Sequence, residues 1–112
     1  MKIDIKKVKI IVTAPSENID DIRIAMCNEG AGIIGKYTNC TFSSKGIGTF
    51  IPSENANPYI GEQNKLEFAE EEKLEVICDI NIAKNVIKKL REVHLYEEPA
   101  IDIIPLIMEE DL

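Results

Sequence analysis

LEVICDINIAKNVIKKLREV, residues 74–93, changes its hydrophobic period in the middle. Up to Cys78 the side chains of Leu74, Val76 and Cys78 alternate with Lys73, Glu75 and Ile77, the period of two that sends successive side chains to opposite faces of a strand. Past Asp79 the apolar positions Ile82, Ala83, Val86, Ile87 and Leu90 recur at helical spacing with lysines opposite them. Asp79 or Asn81 is placed to cap that helix, which should end near Val93. A strand feeding an amphipathic helix leaves two apolar faces to be covered, so the rest of the chain has to supply further strands and a second helix.

The amino-terminal half does so. Val8, Ile10 and Val12 alternate with Lys7, Lys9 and Ile11 across Lys6 to Thr13, which predicts a strand with one strongly apolar face. Ala14-Pro15-Ser16 stops it. Ser16 or Asn18 then caps a helix in which Ile19, Ile22, Ala25 and Met26 share a face, Asp20, Asp21 and Arg23 point to water, Ile24 lies off the apolar stripe, and Gly30 is the stop. Tyr37 to Phe42 is expected as a second strand, Ser43-Ser44-Lys45-Gly46 as a turn, and Thr49-Phe50-Ile51 as a returning strand ended by Pro52. SENANPYIGEQN, residues 53–64, has no period and reads as a long loop, of the kind that is often functional. A further strand begins somewhere in EFAEEEKLEV, and Ala100 to about Leu106 closes the chain before an acidic tail expected to fray.

Strand, helix, strand, strand, helix, strand, with room for an extra strand in the long loop, is the ferredoxin-like βαββαβ order, an α+β sandwich in which two helices cover one face of an antiparallel sheet. The 112 residues suffice for one domain, residues 1–112, without disulfides or metal.

A composition of 45% hydrophobic and 29% charged residues is that of an ordinary globular protein. The net charge of −7 argues against a nucleic-acid partner, since phosphate binding requires clustered Lys and Arg; Lys6-Lys7 and Lys88-Lys89-Arg91 are short and lie beside acids. No apolar run approaches the ~18 residues of a membrane span, and MKIDIKKVKI lacks the pattern of an export signal, so no membrane partner and a cytoplasmic location are expected. Cys27, Cys40 and Cys78 form no C-x-x-C pair and fit reduced thiols.

Three motifs raise questions of chemistry. GAGIIG, residues 30–35, matches G-x-G-x-x-G, but it follows a helix and precedes a strand, the reverse of a dinucleotide-binding context, and reads instead as a helix cap and close-packed turn. HLYEEPAID, residues 94–102, holds the only histidine. A mixed metal site of His94, Glu97 and Glu98 competes there with a helix-to-strand junction in which the imidazole meets the last helical carbonyls. Pro99 disfavours helix at Glu98 and so weakens the helical route to that metal set. Cys40 reads as a small buried residue rather than a nucleophile.

Taken together, GAGIIGKYTNCTFSSKGIGTFIP, NPYIGEQNKLEFAEEEKLE and HLYEEPAIDIIPL resemble the small PII/CutA-like domain inserted in bacterial NIF-three-like proteins, over about Val8 to Leu106. The chain looks like a free-standing version of that domain. The resemblance implies a ferredoxin-like fold that self-associates, commonly as a trimer, with the 53–64 loop and the segment before the last strand near subunit clefts. It also brings over motif positions: Gly32, Gly35, Tyr37, Cys40, Gly48, Phe50, Pro52, Asn57, Pro58 and Gly61, then His94, Tyr96, Glu97, Glu98, Pro99 and Asp102. Leu95 and Ile101 depart from the proline and tyrosine of the family motif. The dinuclear metal site of the larger proteins has its ligands in flanking domains without a counterpart in these residues, so their hydrolase activity is not expected to carry over.

The expectation is a non-catalytic, oligomeric ligand-binding or regulatory module that takes a small-molecule effector. Its site residues are Tyr37, Cys40, Asn57 and Gly61 with His94, Tyr96, Glu97, Glu98 and Asp102. The alternative is a divalent-metal-binding protein or metal-dependent hydrolase, with His94, Glu97 and Glu98 completed by neighbouring subunits.

Overall fold

The computed structural model describes residues 3–112. Residues 1 and 2, part of the stretch read as lacking an export signal, lie outside the described residues. Strand β1 (Lys7–Pro15) leads through a short 3-10 turn into helix α1 (Ile19–Asn28); β2 (Thr41–Phe50) and β3 (Glu67–Asp79) follow, then α2 (Ile80–Val93) and β4 (Ala100–Leu106). The four strands form one sheet in the order β2-β3-β1-β4, every neighbouring pair antiparallel. This is the ferredoxin-like arrangement expected from the sequence.

Register fixes which side chains share the core. Ile10 stands opposite Val76 and Ile103, and Val12 opposite Leu74 and Ile101, so the alternating apolar sets of three strands fall on one face. The helices cover that face with Ile19, Ile22 and Met26 from α1 and Ala83, Val86 and Leu90 from α2. Complete burial of a side chain such as Leu74 or Ile10 contributes about 2 kcal/mol. The opposite face lies open, with Phe42 and Ile104 exposed among Lys9, Glu75 and Asp102.

The hairpin departs from the sequence expectation. Ser43 to Gly46 is not a turn: β2 runs unbroken from Thr41 to Phe50 and absorbs the turn and, except for Ile51, the separate strand expected at Thr49 to Ile51. Its partner extends through the acids to Glu67, so the two strands form an arm that continues past the end of β1, where Pro15 opposes Glu71. Ladder hydrogen bonds along ten residue pairs outweigh the turn preference of Ser and Gly. Tyr37 to Cys40 precedes the strand, with Tyr37 and Ile34 exchanging two 2.9 Å backbone hydrogen bonds in a tight turn.

GAGIIG is the close-packed turn the sequence predicts. Gly32 donates to Ile77 O at 2.8 Å and accepts from Cys40 N–H at 2.8 Å, at φ +81°. A Cβ there would lie 2.9 Å from the Cys40 carbonyl oxygen, which leaves room for glycine alone.

The caps also differ from expectation. Neither Asn18 nor Asp79, at the two N-cap positions, makes a capping side-chain hydrogen bond. Arg23 does not simply face water: its guanidinium donates to the hydroxyls of Thr41 and Ser43, both at 3.1 Å, and ties α1 to the root of β2. The acidic tail forms a 3-10 turn, Glu109–Asp111, anchored by a 3.0 Å ion pair between Lys6 and Asp111.

Candidate functional site

Two backbone segments meet the arm where β1 ends. The chain leaving α2 cannot frame its own last carbonyls, and buried Asn18 does so from the other helix: Nδ2 donates to Val93 O at 3.0 Å and Oδ1 accepts from Leu95 N–H at 3.0 Å. The residue read as a cap for α1 thus fixes the exit of α2. It aims the following residues across the end of β1.

His94 is the next fixed point, only 8% exposed. Its Nδ1 accepts from Tyr96 N–H at 3.0 Å, which assigns the ring proton to Nε2, the nitrogen 2.9 Å from Thr13 O. Burial holds the imidazole below its ordinary value, against the opposing pull of the Thr13 carbonyl and Glu71. Neutral imidazole in this tautomer satisfies both backbone partners. The helix-terminus reading had the imidazole on the last carbonyls of α2; it bonds β1 instead.

The His94 turn presents Tyr96 to the arm. The phenol donates to Glu71 Oε2 at 2.6 Å, and the ring sits 5.9 Å from Phe50 and 6.5 Å from Tyr59, tilted against both. Desolvation and the Glu71 carboxylate push the phenol well above its ordinary value, so it stays a hydrogen-bond donor. Gly48 makes the pairing feasible: a Cβ built there would fall 1.9 Å from Glu71 Oε1. The 53–64 loop closes the other side, with Asn57 N–H donating to Glu97 Oε1 at 3.0 Å and Tyr59 hydroxyl donating to Glu17 Oε1 at 3.1 Å. Between arm, loop and turn lies a cleft of about 810 Å³, lined by Phe50, Tyr59, Glu71, Tyr96, Glu97 and Glu98 among others.

The sequence-predicted site residues separate into groups. Tyr96, Glu97 and Glu98 line the cleft; His94 braces Tyr96 from beneath, and Asn57 is joined to Glu97 by its backbone. Gly61 packs on the first residue of β3, Glu67. Tyr37 is 75% exposed in the turn before β2. Cys40 is half-buried rather than buried, its thiol 3.7 Å from Thr38 O, in a shallow hollow shared with Phe42 and Leu106. Asp102 stands opposite Ile11 on β4, exposed. The cleft does not include these last three.

His94, Glu97 and Glu98 are not assembled as a metal set: among the described residues no three His, Cys, Asp or Glu side chains are grouped to hold an ion. Both ring nitrogens of His94 are already engaged with backbone, so the imidazole has no free nitrogen to offer an ion in this arrangement. Glu71, Tyr59 and Glu17 were missed from the sequence. Glu71 lay in a run of acids read as a wet face, and only the register that sets Gly46 against it, with Gly48 beside, marks it out.

No family model matches the chain. A protein of Halalkalibacterium halodurans described as a GTP cyclohydrolase 1 type 2 homolog is 46% identical over 101 residues, which is 90% of this chain and 27% of that protein. A crystal structure of a Bacillus cereus protein related to NIF3 superposes with a TM-score of 0.80 at 37% identity, over 94% of this chain and 27% of the other. The chain is homologous to one segment of these NIF3-related proteins. It spans about a quarter of their length. The periplasmic divalent cation tolerance protein CutA from Archaeoglobus fulgidus shares the fold across nearly its whole length, with a TM-score of 0.68, 21% identity and coverage of 93% of this chain and 89% of that one. No helix among the described residues is long and apolar enough to cross a membrane.

Proposed function

We propose that this NIF3-related segment is a non-catalytic binding or regulatory module that works as a homo-oligomer, three copies favoured, and holds a small-molecule effector in the Tyr96 cleft. The observation that carries this reading is the cleft itself: a concave, aromatic-walled space of about 810 Å³, the size range of small-molecule sites, framed by fixed polar groups. The chemistry of its walls favours binding over turnover. Cys40 is outside it, and the one histidine has both nitrogens committed to backbone, so neither is offered to a ligand there as nucleophile or base.

Self-association is supported by apolar side chains that this chain leaves uncovered: Phe42 and Ile104 on the open sheet face, Ile47 and Phe68 on the arm. Phe42 and Ile47 point to opposite faces of β2, so these are separate apolar patches, each of a kind that a neighbouring copy can cover. Sedimentation equilibrium tests the assembly, with three times the 12.6 kDa chain mass expected and a strict monomer counting against it. A thermal-shift screen of nucleotides, amino acids, amines, organic acids and divalent metals tests the site. An occupant at a hundred times its Kd stabilises by about 2.7 kcal/mol. Substituting Tyr96→Leu should abolish that gain while Tyr37→Ser leaves it. A screen without a single Tyr96-dependent shift removes the effector and leaves assembly alone.

A further inference from the structure

We infer that the Tyr96 cleft selects an organic cation, an ammonium or quaternary ammonium head on a short apolar stem. This rests on the cleft being a ligand site, as proposed above, and adds the class of ligand. Three aromatic rings meet there, Phe50 and Tyr59 each tilted against Tyr96, at 60° and 52°. Tilted rings leave faces uncovered, and an aromatic face attracts a cation within about 6 Å of its centroid.

Both phenols donate to carboxylates, Tyr96 to Glu71 and Tyr59 to Glu17. A phenol that donates to an anion has an electron-richer ring than a free one, so each tyrosine face is a better cation acceptor than phenylalanine. The geometry also turns the hydroxyls away as donors for an anionic ligand, since their protons are already given to Glu71 and Glu17.

The charges agree with the rings. Glu71, Glu72, Glu97 and Glu98 line the cleft against Lys45 and Lys73, and among the described residues none of these six side chains is in an ion pair, although ion pairs form elsewhere on the chain. Lys45 opposes Glu72 across the hairpin and offsets it; Lys73 offsets one more carboxylate. Two carboxylates then remain uncompensated beside the aromatic walls, the local balance that a single-headed cation would neutralise.

The probe is tetramethylammonium chloride, titrated into the full chain and followed by amide NMR shifts against sodium chloride at equal ionic strength, with sodium acetate as the anionic counterpart. Saturable shifts confined to residues around Tyr96 and the 53–64 loop are expected with tetramethylammonium alone. Glu71→Gln and Phe50→Leu should each weaken binding roughly tenfold, the size of one desolvated cation–ring or ion contact. A shift that sodium reproduces, a response to acetate in the same place, or an affinity unchanged in both variants overturns the inference. Should Glu71→Gln lose its fold by circular dichroism, Glu97→Gln takes its place, because the Glu97 carboxylate is held by the exposed Asn57 amide rather than by a buried partner. If tetramethylammonium fails while another compound gives Tyr96-dependent stabilisation, the cation is wrong and the effector site stands. If nothing binds, both fall.

Discussion

The two ends of β3 lie in different surroundings. From Leu74 to Cys78 every second side chain is sealed between sheet and helices; from Glu67 to Glu70 the same strand carries Phe68 at 65% exposure, opposite a β2 that shows Ile47 at 72%. The sealed end is stabilised by burial within the chain, while the projecting end buries Ala69 on one face and leaves Phe68 and Ile47 uncovered on the other. The comparison separates what holds the fold from what is available to act: the cleft lies where the cover stops.

The largest test of that division is at the sealed end. Leu74→Ala should cost about 3 kcal/mol in urea unfolding, through lost transfer energy and the cavity it leaves among Val12 and the helices. A cost below that of a surface substitution would erase the distinction. Next comes the link between the ends. Asn18→Ala removes two hydrogen bonds and strands Val93 O and Leu95 N–H in a half-buried place, so about 2 kcal/mol of stability should go, along with the chemical-shift signature of the His94 turn.

How far the sequence reveals each end follows from the same physics. Val8, Ile10, Val12, Leu74 and Val76 announce their strands because burial on one face demands alternation, and Ala83, Val86 and Leu90 announce α2 for the same reason. The arm has no such demand. Gly46 and Gly48 look like turn formers and EFAEEE like a solvated run, yet they pair residue for residue, because a glycine is what the Glu71 carboxylate needs beside it. At the cleft, the HLYEEP motif and the 53–64 loop supply Tyr96 and Glu97 to the lining and the Asn57 N–H that holds Glu97. Cys40, Tyr37 and Asp102 lie apart from them, since motif proximity carries no information on which sheet end a residue reaches. Asn18 and Glu71 leave no periodic trace, being single polar contacts across 75 and 25 positions of sequence.

A change of pH sharpens the comparison next. The folded state binds His94 neutral, with its value held below the ordinary 6.5 by burial. Its contribution is therefore intact above about pH 6.5 and is lost as pH falls through the lowered folded value, because the imidazolium gains a proton at Nδ1 that opposes the Tyr96 N–H. Unfolding curves taken down to about pH 5, where most carboxylates are still ionised, should show stability falling. His94→Gln should flatten that slope, and an unchanged slope would detach His94 from the effect. Smaller still is Gly48→Ala. The new methyl displaces Glu71 from the phenol, for about 1 kcal/mol, and brings the Tyr96 hydroxyl back toward its usual titration range, readable by ultraviolet absorbance.

The smallest expected effect on a single chain is the most informative about the open end. Phe68 is exposed, so Phe68→Ser should change chain stability by no more than about 0.5 kcal/mol when measured at dilutions where only monomer remains. At higher concentration the same substitution should weaken assembly, because an apolar ring covered by a neighbouring copy contributes area that serine does not. Ile47→Ser, two residues from Phe68 in pair order on the same hairpin, should act in the same direction. An equal loss of stability at every dilution would mean that the arm packs within its own chain, and the division between a sealed end and an available one would fail at its own best residue. A concentration-dependent loss instead ties the uncovered half of β3 to neighbouring copies, and leaves the Tyr96 cleft, at the root of the arm, beside that contact.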